Sequence, residues 1–174
     1  KLNSLFNPVK NYSQADSSGN KSEMDRKNVV VIILESISTE HIGALNRSEG
    51  NKDKDFTPFL NSLIHKSTVY KGFANGKRSI EAIPAVLASL PTWMTEAYIT
   101  SKYSFNSINS LASTLKSKGY STSFFHGGKN GTMGFDSFCK KAGFDSYYGR
   151  NEYPFKNDYD GFWGIWDEPY LQYV

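Results

Sequence analysis

Six consecutive apolar residues, Val29-Val30-Val31-Ile32-Ile33-Leu34, stop abruptly at Glu35-Ser36. All but Leu34 are β-branched, and branching at Cβ stiffens χ1 and favours a strand over a helix. The run shows no alternation of apolar and polar residues. It therefore suits a strand covered on both faces, as in a parallel sheet between helices, and a short buried helix is the competing reading.

The following sequence supplies alternating helical and extended patterns. Thr57-Pro58 offers an N-cap and a proline at the first helical position, ahead of Phe59, Leu60, Leu63 and Ile64 at helical spacing. Ser67–Phe73 reads as a strand. A second helix opens at Ser79, with Ile80, Ile83, Leu87 and Ala88 on one stripe, and Pro84 bends it rather than breaking it. Ile108, Leu111, Ala112 and Leu115 form a third stripe, closed by Gly119. Tyr120–Phe125 is extended and lands on His126-Gly127-Gly128. A short helix from about Asp136 stops at Gly143, and Phe144–Tyr148 is a further strand. The expected fold is α/β, a mainly parallel sheet flanked by helices.

Composition narrows the function classes. At 39% hydrophobic and 15% aromatic residues the chain is neither disordered nor coiled coil. No apolar run approaches the roughly 20 residues of a membrane-spanning helix. A lone cysteine excludes a disulfide framework and a cysteine-rich zinc module; Cys139, beside Phe138, reads as a small core residue. The net charge is only +3, and five of the basic residues lie in the first 27 positions, against three acids. The body is nearly neutral, which is not the footprint of a nucleic-acid-binding protein. Positions 1–27 are polar and turn-rich and read as a linker. No signal peptide is visible in them, so the chain is either cytosolic or preceded by its targeting segment.

In open α/β sheets functional groups collect beyond the carboxyl ends of strands. Three such places carry polar residues: Glu35-Ser36, Asn75-Gly76-Lys77-Arg78-Ser79, and His126-Gly127-Gly128. A carboxylate at the tip of an apolar strand needs a cationic partner, and for Glu35 this is a hard metal ion or a helix N-terminus. The plainer alternative is a salt-bridged acid that starts the next helix. Ser79 sits where a glycine-containing turn enters a helix, placed to attack phosphorus or sulfur next to Arg78, or simply to cap the helix. Gly76-Lys77-Arg78-Ser79 lacks the spacing of a phosphate-binding P-loop. Arg78 either steadies anionic oxygens or makes an outward salt bridge. His126 is a substrate-binding or a structural histidine; His41 and His65 read as surface residues. The tail Gly161–Pro169 is aromatic and acidic, either a substrate-facing loop or a packing plug, with Trp163 and Trp166 expected to be buried.

In order along the chain, Asn28–Ser36, Gly76-Lys77-Arg78-Ser79, Phe125-His126-Gly127-Gly128 and Trp163-Gly164-Ile165-Trp166-Asp167-Glu168 resemble one family. It is the sulfatase-type catalytic domain of the lipoteichoic acid synthases and phosphoglycerol transferases, in the alkaline phosphatase superfamily. The resemblance implies an extracytoplasmic enzyme tethered by membrane helices upstream of residues 1–27, with residues 28–174 as the amino-terminal part of its catalytic domain. It implies a divalent metal, typically Mn²⁺ with Mg²⁺ or Zn²⁺ as alternatives, and a covalent intermediate. The substrate class is a lipid- or glycan-linked phospho- or sulfo-ester. By position, Glu35 resembles the first-strand metal ligand, Ser79 the nucleophile and second ligand, usually Thr, and His126 the histidine of the His-Gly segment. Some members read Lys-Thr where this chain reads Lys77-Arg78-Ser79, which leaves the register open by one residue.

The departures are specific. Where lipoteichoic acid synthases carry an acid, a Trp and an Arg that hold the head group, this chain reads Gly128, Met133 and Phe135. The family's downstream Asp-His pair occurs nowhere in the chain. The expectation is an ester transferase or hydrolase whose remaining ligands lie beyond these residues, so that the chain alone is inactive. A sulfuric ester hydrolase, or a non-catalytic envelope-binding module on the same scaffold, is the alternative.

Overall fold

Adjacent phenylalanines with different packing partners organise the larger part of this protein. In the computed structural model, which describes residues 27–45, 56–74 and 76–174, Ser123–Phe125 (β1) pairs in parallel with Ser146–Tyr148 (β2). The register sets Phe124 opposite Tyr147 and Phe125 opposite Tyr148. Both pairs stack, with ring centroids 5.7 and 4.8 Å apart. Because successive side chains leave a strand on opposite faces, Phe124 packs toward Phe135 and Phe144, while Phe125 meets Tyr153, Ile165 and Tyr170. Both faces are therefore covered, as a parallel pair requires.

The connection between the strands is helix α4, Phe135–Lys141, giving a β-α-β unit. Gly143, at φ +88°, takes the left-handed conformation that ends it. Phe135, Phe138, Cys139 and Ala142 of this segment form the main core with Ile83 and Leu87 of α2, Ser79–Ala88. As expected, α2 runs through Pro84, which is fully buried, and it ends at Ser89 in a left-handed conformation. Helix α1, Pro58–Ile64, starts at the Thr57-Pro58 signal. Helix α3, Leu111–Ser117, is capped by Ser110, whose hydroxyl accepts the Ser113 N–H at 3.0 Å, and Gly119 follows at φ +83°. The tail adds α5, Asp167–Tyr173, where a loop or plug was expected. None of the described helices is long and apolar enough to cross a membrane.

Asp145 ties the start of β2 to the residue before β1. Its carboxylate accepts the Thr122 N–H at 2.9 Å and hydroxyl at 3.0 Å, and it pairs with Lys116 of α3. The Lys116 ammonium, then the two Thr122 bonds, hold this carboxyl below its ordinary value. A depressed folded-state pKa stabilises above the unfolded value, and that stability disappears as pH falls through the folded value. The melting temperature is therefore expected to drop as pH is lowered below about 4. Asp145→Asn should flatten that part of a pH series followed by circular dichroism.

Two expected strands are corrected. The chain divides into the units Lys1–Ile37 and Ser38–Val174. In the first, Val29–Leu34 has no strand assignment and is exposed, Val30 at 79% and Ile32 at 72%. In the second, Ser67–Phe73 is likewise not a strand, and Val69, Tyr70 and Phe73 are exposed. A parallel strand draws its stability from a ladder to a neighbour distant in sequence, and the sheet among the described residues contains β1 and β2 alone. The linker expected at 1–27, apart from Lys27, and Asn75 lie outside the described residues.

Candidate active site

Ser79 is the first residue of α2, and the residue before it, Arg78, is the N-cap. This corrects the reading of Ser79 as the cap itself. The turn leading into the helix is held from below by an acid that sequence reasoning overlooked. Glu81, at the third helical position, folds its carboxylate back onto the turn: Oε2 accepts the backbone N–H of Lys77 at 2.8 Å and of Arg78 at 3.1 Å, and Oε1 accepts from Arg78 Nη2 at 2.9 Å. Glu81 is buried, whereas the Arg78 side chain is largely exposed. The Arg78 guanidinium, then the Lys77 N–H, keep the Glu81 carboxyl below its usual range. The Lys77 and Arg78 N–H groups are thus engaged internally, and Arg78 Nη2 makes a salt bridge to Glu81. An acid three residues after the cap is a known helix-start signal when the cap is Ser or Thr; with Arg78 at the cap, Arg78-x-x-Glu81 does not announce itself.

Gly76 belongs to the same lock. A Cβ at this position would come within 2.8 Å of Glu81 Cβ and Oε2 and 3.0 Å of Thr92 Oγ1. Beside the turn lies a cavity of about 320 Å³ bordered by Glu81, Thr92, Trp93, Glu96, Tyr98 and Tyr103.

His126 directly follows β1 and extends its ladder, its N–H donating to Tyr148 O at 2.9 Å. The ring stands edge-on to Phe135, with centroids 5.0 Å apart, and Nδ1 lies 3.5 Å from the Tyr147 hydroxyl. It also covers Gly128, where a Cβ would fall 2.6 Å from His126 Cε1, so any larger residue there must push the ring aside. Burial pushes the Tyr147 phenol above its ordinary value. The Trp163–Glu168 motif is brought to this same place. Ile165 N–H donates to Gly127 O at 3.0 Å, and Gly164 packs so closely that a Cβ would sit 2.8 Å from that oxygen.

Asp160 shapes the loop that delivers it, accepting the N–H groups of Phe162, Trp163 and Gly164 at 2.8, 2.7 and 3.0 Å. Ile165 turns inward to Tyr153 and Tyr170. Its neighbours turn out: Trp163 is 52% and Trp166 61% exposed, which overturns their expected burial. Of the three positions that correspond to the head-group contacts, Gly128 lies under His126, Met133 packs against the core, and Phe135 is buried in it.

Glu35 belongs to the unit Lys1–Ile37 and is followed by Ser36 at φ +59°, a left-handed backbone uncommon for a residue other than glycine. The Glu35 carboxylate and the Ser79 hydroxyl are hard oxygen donors of the kind Mn²⁺ or Mg²⁺ prefers. Among the described residues, however, no three His, Cys, Asp or Glu side chains gather to hold an ion. Neither donor makes a metal site by itself, so the described residues do not complete one.

The description "Sulfatase" fits residues 27–174 when the chain is matched to protein-family models. Lipoteichoic acid synthase 2 of Bacillus subtilis is 26% identical over 153 residues, 84% of this chain and 22% of that protein. A crystal structure of a protein in the alkaline phosphatase superfamily from Vibrio parahaemolyticus matches with a TM-score of 0.51 and 30% identity, over 55% of this chain and 23% of its own. The lipoteichoic acid synthase LtaP of Listeria monocytogenes has the same TM-score at 22% identity, over 57% of this chain and 24% of its own, and shares the fold. The chain spans about a quarter or less of the length of each of these relatives. Its parallel sheet with flanking helices is that of the alkaline phosphatase superfamily, and within it the chain belongs to the sulfatase family.

Proposed function

We propose that the full-length protein is a metal-dependent transferase or hydrolase of phospho- or sulfo-esters, similar to the phosphoglycerol transferases and acting on a cell-envelope substrate, with Ser79 as its nucleophile. The observation that carries this reading is Ser79 at the first position of a ten-residue helix, behind a turn fixed by Glu81. The hydroxyl there lies at the positive end of the helix dipole, where a developing anion is favoured. In the reaction, Ser79 Oγ bonds to phosphorus or sulfur while the ester bond opposite it breaks. The departing alkoxide takes up the proton that Ser79 gives up and leaves as an alcohol; the serine ester then passes its group to a second alcohol or to water, whose proton regenerates the Ser79 hydroxyl. His126, over Gly128, and the exposed remainder of the Arg78 guanidinium, whose Nη2 is held by Glu81, are the substrate-facing groups of this reading.

The reading includes a divalent ion, Mn²⁺ first with Mg²⁺ or Zn²⁺ as alternatives, bound by Glu35, Ser79 and ligands outside this chain. The substrate is a lipid- or glycan-linked ester on the extracytoplasmic face, and the full-length protein is membrane-anchored. The curated lipoteichoic acid synthase relative supports the phosphoester side of this reading; a sulfatase is the alternative chemistry. The exposed Trp163 and Trp166 favour one rival, a non-catalytic module that stacks on glycans. Full-length protein assayed with Mn²⁺ on bis-p-nitrophenyl phosphate and p-nitrophenyl sulfate should turn over at least one of them. Inertness toward both would leave the binding module.

A further inference from the structure

We propose that Glu81 is the positioning residue that sets where the Ser79 hydroxyl points. This deepens the functional reading above and rests on it. Glu81 contacts no substrate in this account; it acts through the turn. Its two oxygens take three hydrogen bonds from the two residues immediately before Ser79, one of them from a guanidinium. They leave Lys77 and Arg78 little freedom to move relative to the helix. The acid is itself immobilised: it is buried, it belongs to the helix whose first residue it positions, and Gly76 lies so close to its Cβ and Oε2 that no side chain fits between them. Glu81 bonds to two successive backbone N–H groups and to the Arg78 guanidinium at once. The arrangement makes the entry to α2 rigid at the one place where a displacement of about 1 Å can cost roughly a hundredfold in rate.

Glu81→Gln tests this in the full-length Mn²⁺-loaded protein. The amide keeps the shape but removes the charge and leaves one acceptor oxygen where two served: if it stays on the backbone N–H groups, the NH2 donor confronts the Arg78 guanidinium. Well below the variant's melting temperature, kcat is expected to fall about 10- to 100-fold with KM little changed. Amide exchange at Lys77 and Arg78 should rise about tenfold or more. Gly76→Ala, which crowds Glu81 without changing charge, should lower kcat in the same direction. If Glu81→Gln lowers the melting temperature yet leaves kcat within about twofold, Glu81 is a capping residue and the proposal is overturned; unchanged exchange at Lys77 and Arg78 overturns it equally. Ser79→Ala, run alongside, separates the two levels. An active Ser79→Ala protein, or inert wild type, removes the functional reading and this inference with it. An inactive Ser79→Ala beside an unimpaired Glu81→Gln removes this inference alone.

Discussion

Replacing Ser79 by alanine is expected to lower turnover of the full-length protein by about a thousandfold or more, the scale seen when a covalent nucleophile is deleted. The change removes one oxygen from the first turn of α2. Serine at N1 makes no contribution as the cap, which is Arg78, and the bonds that shape the turn run to Glu81. Melting temperature and amide exchange around residues 76–81 should therefore stay near wild type while activity disappears. Ser79→Thr restores a hydroxyl and should keep measurable turnover. Loss of activity with loss of fold would instead make Ser79 a structural residue, and steady-state kinetics read beside circular dichroism distinguish the two.

Phe138→Ala should produce the largest change in stability, about 3–5 kcal/mol. Phe138 is 4% exposed in the cluster that joins α2 to α4, and its ring meets Tyr98 edge-on at 6.5 Å. With a domain's whole stability only about 5–15 kcal/mol, that loss approaches unfolding. Cys139, the next residue, reports on it. The thiol is fully buried, and burial pushes its pKa up to about 12, with Asp136 adding to the rise. In the native protein at pH 8 it should be silent toward a thiol reagent such as dithionitrobenzoate, since the thiolate is the reacting species. In Phe138→Ala it should react at a rate that tracks opening of the core. A urea titration showing a change below about 1 kcal/mol would mean that this core does not hold α2 and α4 together.

Much of the helical structure was legible because its signals are local. Thr57-Pro58 marks the start of α1, Ser110 caps α3, and Gly119 and Gly143 adopt the left-handed backbone that ends a helix. Strands were less so. The apolar run 29–34 states a demand for burial, but a parallel ladder is made with residues far away in sequence, and no local pattern says whether that partner is within reach. Phe124 and Phe125 satisfied the same demand because β2 lies only one helix away. At the site, the position of Ser79 at a helix start and the close approach behind His126-Gly127-Gly128 followed from glycine and turn chemistry. The role of Glu81 did not stand out, because an acid in a first helical turn is commonplace and its reach to Lys77 and Arg78 is a matter of side-chain conformation. Trp163 and Trp166 misled for a related reason. Hydrophobicity predicted burial, while Asp160 folds the loop so that Ile165 takes the inward position.

The central claim is that Ser79 carries the transferred group, and trapping that group tests it most directly. Full-length protein with Mn²⁺ is mixed with bis-p-nitrophenyl phosphate, quenched in acid during the first turnover and mapped by peptide mass spectrometry. An aryl phosphate is expected on the peptide that contains Ser79, localised to that residue and absent from Ser79→Ala. Rapid turnover with the group on another side chain, or with Ser79 unmodified at every quench time, would contradict it.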